Sequence, residues 1–319
     1  MAAASVELPV VDLSPFFTGD KGAMACATEA MREACETRGF FRVVNHGVPA
    51  ELMGRALELS AAFFALPDEE KAKVRPAEAD GCKAPLPTGY GQQAAHTADK
   101  NEHLAIFDPK LGFNAYPAQP AGFRETVDEC FAKLTNLGLL IQEILNECMG
   151  LPPGFLKSYN NDRNFDFMAA LRYFPATEEE NIGFTEHEDG TCFTFIFEDL
   201  VGGLEVLEDG HWVPMKPVDD DGIIVNIGDV IKVVLSNNKM KSPTHRVVRK
   251  PVHRHSFAFF FSVHVDKWIE PLPEFTTKIG EAPHYMKFLY GEYQQLRMRN
   301  KTHPPARRED SVRVTRYAI

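Results

Sequence analysis

The stretch beyond residue 165 constrains the fold most. Short runs rich in Val, Ile, Phe and Thr recur at 167–173, 191–197, 203–207, 211–213, 223–226, 230–235, 245–249 and 256–264. Turn formers separate them: Gly202-Gly203, Asp209-Gly210, Asp221-Gly222 and Gly228-Asp229. Many short strands at a spacing of about 8–12 residues predict an antiparallel sandwich or barrel rather than a parallel sheet.

The residues before this region read as mixed and largely helical. Leu8 to Leu13 is a short apolar run ended by Ser14-Pro15, as expected of a strand. Residues 20–38 have few breakers and predict a helix. Gly39 to Val44 reads as a buried strand closed by the turn set Asn45-His46-Gly47-Val48-Pro49, and a second helix follows to Phe64. Pro67-Asp68-Glu69-Glu70 looks like a further helix start, with acids where the helix dipole favours them. Residues 76–120 show no sustained period and predict a loop-rich connection that could house a lid. The clearest helix carries Phe123, Val127, Phe131, Leu134, Ile141, Leu145 and Cys148 on one stripe and stops at Gly150-Leu151-Pro152-Pro153. After Pro271 a last helix is expected around 283–299, then a basic tail. The chain thus divides into a mixed region (1–155), a β-rich core (160–268) and a C-terminal helix and tail (269–319).

Charge and cysteine usage narrow the partners. Lys and Arg number 34 against 45 Asp and Glu, a formal charge of -11, which disfavours phosphate backbones and anionic lipid. No apolar run approaches the roughly 18–20 residues of a membrane span. Six cysteines without any C-x-x-C pair read as reduced thiols. Met1 to Leu8 lacks the pattern of a secretory signal. The expectation is a soluble, cytoplasmic enzyme with a small-molecule substrate.

The chemistry lies in the β-rich part. His187-Glu188-Asp189 would, on a strand, present an imidazole and a carboxylate on one face. His245 adds a second imidazole, and two His with one carboxylate suit a non-haem Fe(II) facial triad. An H-x-D alone is weak evidence. Arg254-His255-Ser256 sharpens it, because Arg254 and Ser256 would share a strand face as a cation and a hydroxyl able to hold the far carboxylate of a dicarboxylate ligand. His46 reads as a turn residue, and His253, His255 and His264 as non-ligands. Asp219-Asp220-Asp221-Gly222 reads as a solvated hairpin turn, and Lys232 as an outward-facing strand residue.

With these motifs the chain resembles the plant-type Fe(II)/2-oxoglutarate-dependent dioxygenase family from Leu8 to about Ile319. Leu8-Pro9-Val10-Val11-Asp12-Leu13, and Gly39-Phe40-Phe41 through Asn45-His46-Gly47-Val48, look like its N-terminal region. His187-x-Asp189-Gly190, Val201-Gly202-Gly203-Leu204-Glu205-Val206, Asn226-Ile227-Gly228-Asp229, Ser236-Asn237, His245-Arg246-Val247 and Arg254-x-Ser256 resemble its core in the same order. The resemblance implies an α+β, mainly β fold: a double-stranded β-helix (jelly roll) flanked by helices. It implies Fe(II) at His187, Asp189 and His245, and 2-oxoglutarate held by Arg254 and Ser256. O2 is implied as the second cosubstrate and ascorbate as a candidate accessory, in a monomeric protein.

The implied reaction couples decarboxylation of 2-oxoglutarate to succinate with hydroxylation, demethylation or desaturation. Flavonoids, phenolics and alkaloids are the expected substrates, with auxin- or gibberellin-type hormones as the alternative. A non-redox jelly-roll metal enzyme and a non-catalytic binding protein are the rivals from other classes. Relatives carry an Asn-Tyr-Tyr-Pro-like strand where this chain has Arg172-Tyr173-Phe174-Pro175, so the usual hydroxyl is lost at Phe174. Tyr173 and Arg172 are both candidates to replace it. The relatives' Leu-Leu-Gln-Asp after the H-x-D is here Phe195-Ile196-Phe197-Glu198-Asp199, with extra aromatic bulk beside the metal strand. Arg172, Phe184 and Phe260 are the candidate substrate-pocket residues.

Overall fold

A computed structural model describes residues 7–75, 88–93, 97–112, 114–218, 221–232, 236–302 and 310–319. The N-terminal part runs β1 (Val10–Asp12), α1 (Ser14–Thr18), α2 (Lys21–Thr37), β2 (Phe40–Val44), α3 (Ala50–Phe64), α4 (Asp68–Ala72), β3 (Gly89–Gln92), β4 (Asn101–Phe107) and α5 (Phe123–Cys148). Then come β5 (Phe167–Tyr173), β6 (Ile182–His187), β7 (Phe193–Glu198), β8 (Leu204–Glu208), β9 (His211–Pro214), β10 (Ile223–Ile227), β11 (His245–Val248) and β12 (Arg254–Phe261). A small β13 (Trp268–Ile269) and β14 (Phe288–Leu289) pair precedes α6 (Tyr290–Thr302).

Two sheets form. The larger has the order β1-β2-β10-β7-β12-β5-β4-β3, the smaller β6-β11-β8-β9. Strand parity decides which residues each layer buries. Ala169, Leu171, Tyr173, Ile196, Ile224 and Ala258 of the large sheet meet Leu204, Val206 and Val247 of the small one, closing the jelly roll. The alternate residues Met168, Phe193, Phe195, Val225, Phe257 and Phe259 face the opposite way, against α2, α3 and α5. The large sheet is therefore buried on both faces, which is why its strands read as nearly continuous apolar runs. Each fully buried Phe on it contributes about 1.5–3 kcal/mol of burial. The helix over this face sits close: a Cβ on Gly138 of α5 would lie 2.3 Å from the Phe261 ring.

The sequence expectation fails in four places. The span 76–120 is not all connection, because β3 and β4 extend the large sheet beyond β5. Residues 76–87, 94–96 and 113 lie outside the described residues, so a lid there does too. The apolar run at 230–235 begins as a helical turn, with Lys232 N–H bonded to Gly228 C=O at 3.2 Å, so Lys232 is not a strand residue. Residues 233–235 and Asp219-Asp220 are outside the described residues. The last helix starts at Tyr290 rather than near 283. Finally, Asp189 is not on a strand, since β6 ends at His187.

Candidate metal centre and cosubstrate site

His187 closes β6 and His245 opens β11, and the two are direct partners in the antiparallel register. Cross-strand pairing therefore stands the two imidazoles side by side, with ring centroids 4.3 Å apart. Asp189 arrives by a turn instead of by strand parity. Its backbone C=O accepts from Asp229 N–H at 2.7 Å, and Gly190 C=O accepts from Tyr290 Oη at 3.0 Å and Gln294 Nε2 at 2.7 Å. Arg297 of α6 also donates to Glu188 C=O. Gly228 is required by closeness: a Cβ there would sit 2.1 Å from Thr191 O and 3.0 Å from Asp189 O.

The donor atoms converge. His187 Nε2 lies 3.6 Å and His245 Nε2 4.0 Å from Asp189 Oδ1. One donor atom from each of the three residues lies within 4.8 Å of the other two. Nδ1 of His187 is 2.8 Å from Thr185 C=O and Nδ1 of His245 is 3.1 Å from Pro243 C=O. A carbonyl only accepts, so each Nδ1 carries the proton and each Nε2 lone pair faces the centre. Asp189 Oδ2 accepts from Thr194 Oγ1 at 2.6 Å and Asn226 Nδ2 at 2.8 Å, which leaves Oδ1 to ligate. Two oriented imidazoles and one pinned carboxylate on one side of a centre fit Fe(II). Thr194 and Asn226 escaped the sequence reading as partners of Asp189. Only the polar residues inside apolar runs, Thr194 in Phe193-Thr194-Phe195 and Asn226 in Val225-Asn226-Ile227, hinted at them.

The same layer carries Arg254 and Ser256, the candidate clamp. Arg254, Ser256, Ala258 and Phe260 alternate on the inner face of β12, and Arg254 is 2% exposed. Its guanidinium lies 4.7 Å from the Tyr173 ring centroid, and Nη1 is 3.4 Å from Ser256 Oγ. Tyr173 is the register partner of Arg254. Burial raises the Tyr173 phenol above its usual range against the lowering pull of Arg254, so it remains a protonated donor. Glu198 of β7 ion-pairs with Arg254, a contact the sequence reading did not anticipate. Phe260 is the register partner of Thr194, and Glu198 that of Ser256. The metal end and the clamp end are thus separated by four residues of β7, about 13 Å along the strand.

Of the expected pocket residues, Phe184 and Phe260 sit at the metal end. The Phe184 ring is 4.5 Å from that of His187, and Phe260 stacks on Phe167 at 4.3 Å. Arg172 does not join them. It is one residue from Tyr173 and so points through the opposite face, where Nη2 meets Glu102 Oε1 at 2.5 Å. Glu102 there also takes Lys71 Nζ at 3.1 Å and Tyr90 Oη at 2.6 Å. His46 braces its turn, with Nε2 2.5 Å from Asp221 C=O. His255 faces away from the clamp, beside the Phe64 ring, and His264 contacts Asp266.

Comparison with known proteins agrees with this geometry. Residues 165–263 match the model of the 2OG-Fe(II) oxygenase superfamily, and residues 8–129 match that of the N-terminal region of the non-haem dioxygenase in morphine synthesis. The chain belongs to the 2OG-Fe(II) oxygenase superfamily. Gibberellin 20 oxidase 1-B of Triticum aestivum is 33% identical over 85% of this chain and 75% of its own length. Flavanone 3-dioxygenase 2 of Oryza sativa subsp. japonica is 30% identical over 92% of this chain and 84% of its own. A crystal structure of JOX2 in complex with 2OG, Fe and JA superposes with a TM-score of 0.79 at 28% identity, covering 92% of this chain and 85% of that one. The protein is therefore an oxidoreductase of the plant-type 2-oxoglutarate-dependent dioxygenases, using Fe(II), 2-oxoglutarate and O2. No helix among the described residues of this dioxygenase is long and apolar enough to cross a membrane.

Proposed function

We propose that this dioxygenase hydroxylates, demethylates or desaturates a small plant metabolite of the flavonoid, phenolic or alkaloid type, while 2-oxoglutarate is decarboxylated to succinate. The observation that carries the substrate class is the placement of Arg172. Arg172, the cation among the candidate pocket residues, lies on the far face of β5, neutralised by Glu102, while Phe184 and Phe260 stand at the metal end. Such surroundings suit an aromatic body better than a carboxylic acid. The similarity to a gibberellin 20 oxidase supports a second reading, oxidation of a hormone.

In this proposal His187 Nε2, His245 Nε2 and Asp189 Oδ1 hold the iron and leave three positions open. When bound, iron supplies the oxidising power that removes hydrogen from the substrate. The chain itself orients and excludes. Thr194 and Asn226 fix the carboxylate, Thr185 and Pro243 carbonyls fix the imidazoles, and Arg254, Ser256 and Tyr173 hold the distal carboxylate of 2-oxoglutarate. Phe184 and Phe260 keep water from the metal end.

Anaerobic Fe(II) plus 2-oxoglutarate should give a weak visible charge-transfer band, absent in His187→Ala and requiring far more 2-oxoglutarate in Arg254→Ala. A band undiminished in His187→Ala would refute the metal assignment, and a non-redox metal enzyme would show no dependence on Arg254. Succinate release should then be stimulated by flavonoids, phenolics or alkaloids. Stimulation by gibberellin- or indole-type acids alone would replace the substrate class with the hormone reading.

A further inference from the structure

We propose that Glu198 shares Arg254 with the far carboxylate of the cosubstrate, and so weakens this enzyme's preference for 2-oxoglutarate over 2-oxo acids that lack that carboxylate. The proposal rests on the clamp assignment above. Glu198 is the cross-strand partner of Ser256, and parity turns its side chain into the same interior as Arg254. Both charged side chains are withdrawn from water, Glu198 at 1% and Arg254 at 2% exposure. Nη2 of the guanidinium donates to Glu198 Oε2, and Nη1 lies 3.4 Å from Ser256 Oγ. Nε is buried with no hydrogen-bond partner among the described residues. Asp199, the neighbouring acid, is occupied elsewhere, accepting from the backbone N–H groups of His255 at 2.6 Å and Val201 at 3.1 Å.

A dicarboxylate entering beside Ser256 therefore meets a cation whose charge is already matched. It can use the remaining donors, but with one Nη2 hydrogen given to Glu198 at most one of the guanidinium's two-bond edges is left for it. Two carboxylates beside one guanidinium also repel each other in an interior where little water screens them. Both effects reduce what the distal carboxylate adds to binding. A ligand of the same length that ends in a methyl group escapes both. Glu198 is on this account a specificity-determining residue, and Gln at the position would preserve shape while removing the competing charge.

The test is direct binding under anaerobic conditions. The intact chain loaded with Fe(II) is titrated with 2-oxoglutarate and with 2-oxopentanoate, by calorimetry and by the charge-transfer band. Two charge-assisted bonds to an unshared arginine would give 2-oxoglutarate an advantage above about 100-fold. Wild type should show less, and Glu198→Gln should bind 2-oxoglutarate about tenfold or more tightly with 2-oxopentanoate unchanged. A wild-type advantage above about 100-fold, or 2-oxoglutarate affinity unchanged or weakened in Glu198→Gln, would overturn the proposal. Should Glu198→Gln not fold, the wild-type ratio alone decides. Binding of neither 2-oxo acid to wild type would instead overturn the underlying cosubstrate-site reading.

Discussion

Replacing Thr194 by valine tests how this centre holds its carboxylate. The change keeps the β-branched shape on β7 and removes one hydroxyl. That hydroxyl donates to Asp189 Oδ2 at 2.6 Å, inside a layer where Thr194 is 1% exposed. Asn226 remains as the other donor, at 2.8 Å. A hydrogen bond to a charged group contributes about 1.5–3 kcal/mol. The bond's role here is to stop the carboxylate rotating, so its loss falls on metal binding more than on folding. At about 1.4 kcal/mol per tenfold, Fe(II) affinity should drop roughly 10- to 100-fold. Anaerobic competition against a chromophoric chelator measures it, with the apo melting temperature as the folding control. Thr194→Ser restores the hydroxyl and should bind iron as wild type does. Wild-type iron affinity in Thr194→Val would refute the reasoning and leave Thr194 as packing alone.

Glu102→Ala should cost about 3–5 kcal/mol of stability, because Lys71 and Arg172 are left buried without their shared carboxylate. 2-Oxoglutarate affinity should be unchanged, since the network lies on the far face of β5; a selective loss of that affinity in equilibrium titration would put Arg172 back in the site. Gly228→Ala should abolish or sharply reduce the folded, iron-binding yield, because backbone atoms at 2.1 and 3.0 Å cannot yield as a side chain can; recovery of a wild-type melting temperature would refute this. Asp199 is raised by burial, yet hydrogen bonds from His255 and Val201 and the nearby Arg254 hold its carboxyl below the usual 3.8. Below that value the unfolded chain takes the proton first, so the stability Asp199 contributes is present above pH 3.8 and lost as pH falls through the lower native value. Acid unfolding of Asp199→Asn should therefore be shallower than that of wild type, and identical acid limbs would count against the assignment.

Several elements were readable because a single local property fixes them. The helix 50–64 starts after Pro49 and the long helix stops before Gly150, each at a breaker. The strand at 167–173 is bounded as read, being a short run that is apolar up to Arg172. By contrast β4 begins Asn101-Glu102, polar residues that are buried only because their partners come from elsewhere. Asn101 donates to Gly183 C=O at 2.7 Å, and Glu102 meets Lys71 and Arg172. The run at 230–235 was ambiguous for a different reason: a short apolar segment has no period long enough to separate a strand from a buried helical turn.

By itself the sequence determined the chemistry available, since His187, Asp189, His245, Arg254 and Ser256 bring two imidazoles, a carboxylate, a cation and a hydroxyl in this order to the β-rich part. It also determined parity, which put Arg254 with Ser256 and separated Tyr173 from Arg172. Tertiary structure decided what those groups do to one another. Asp189 reaches the imidazoles through a turn held by Asp229 and α6, not through a strand face. The strand β7, by pairing with β12, supplies Thr194 to the metal end and Glu198 to the clamp end. Such contacts join residues up to a hundred or so positions apart, and their strength depends on exclusion of water, which no local pattern records.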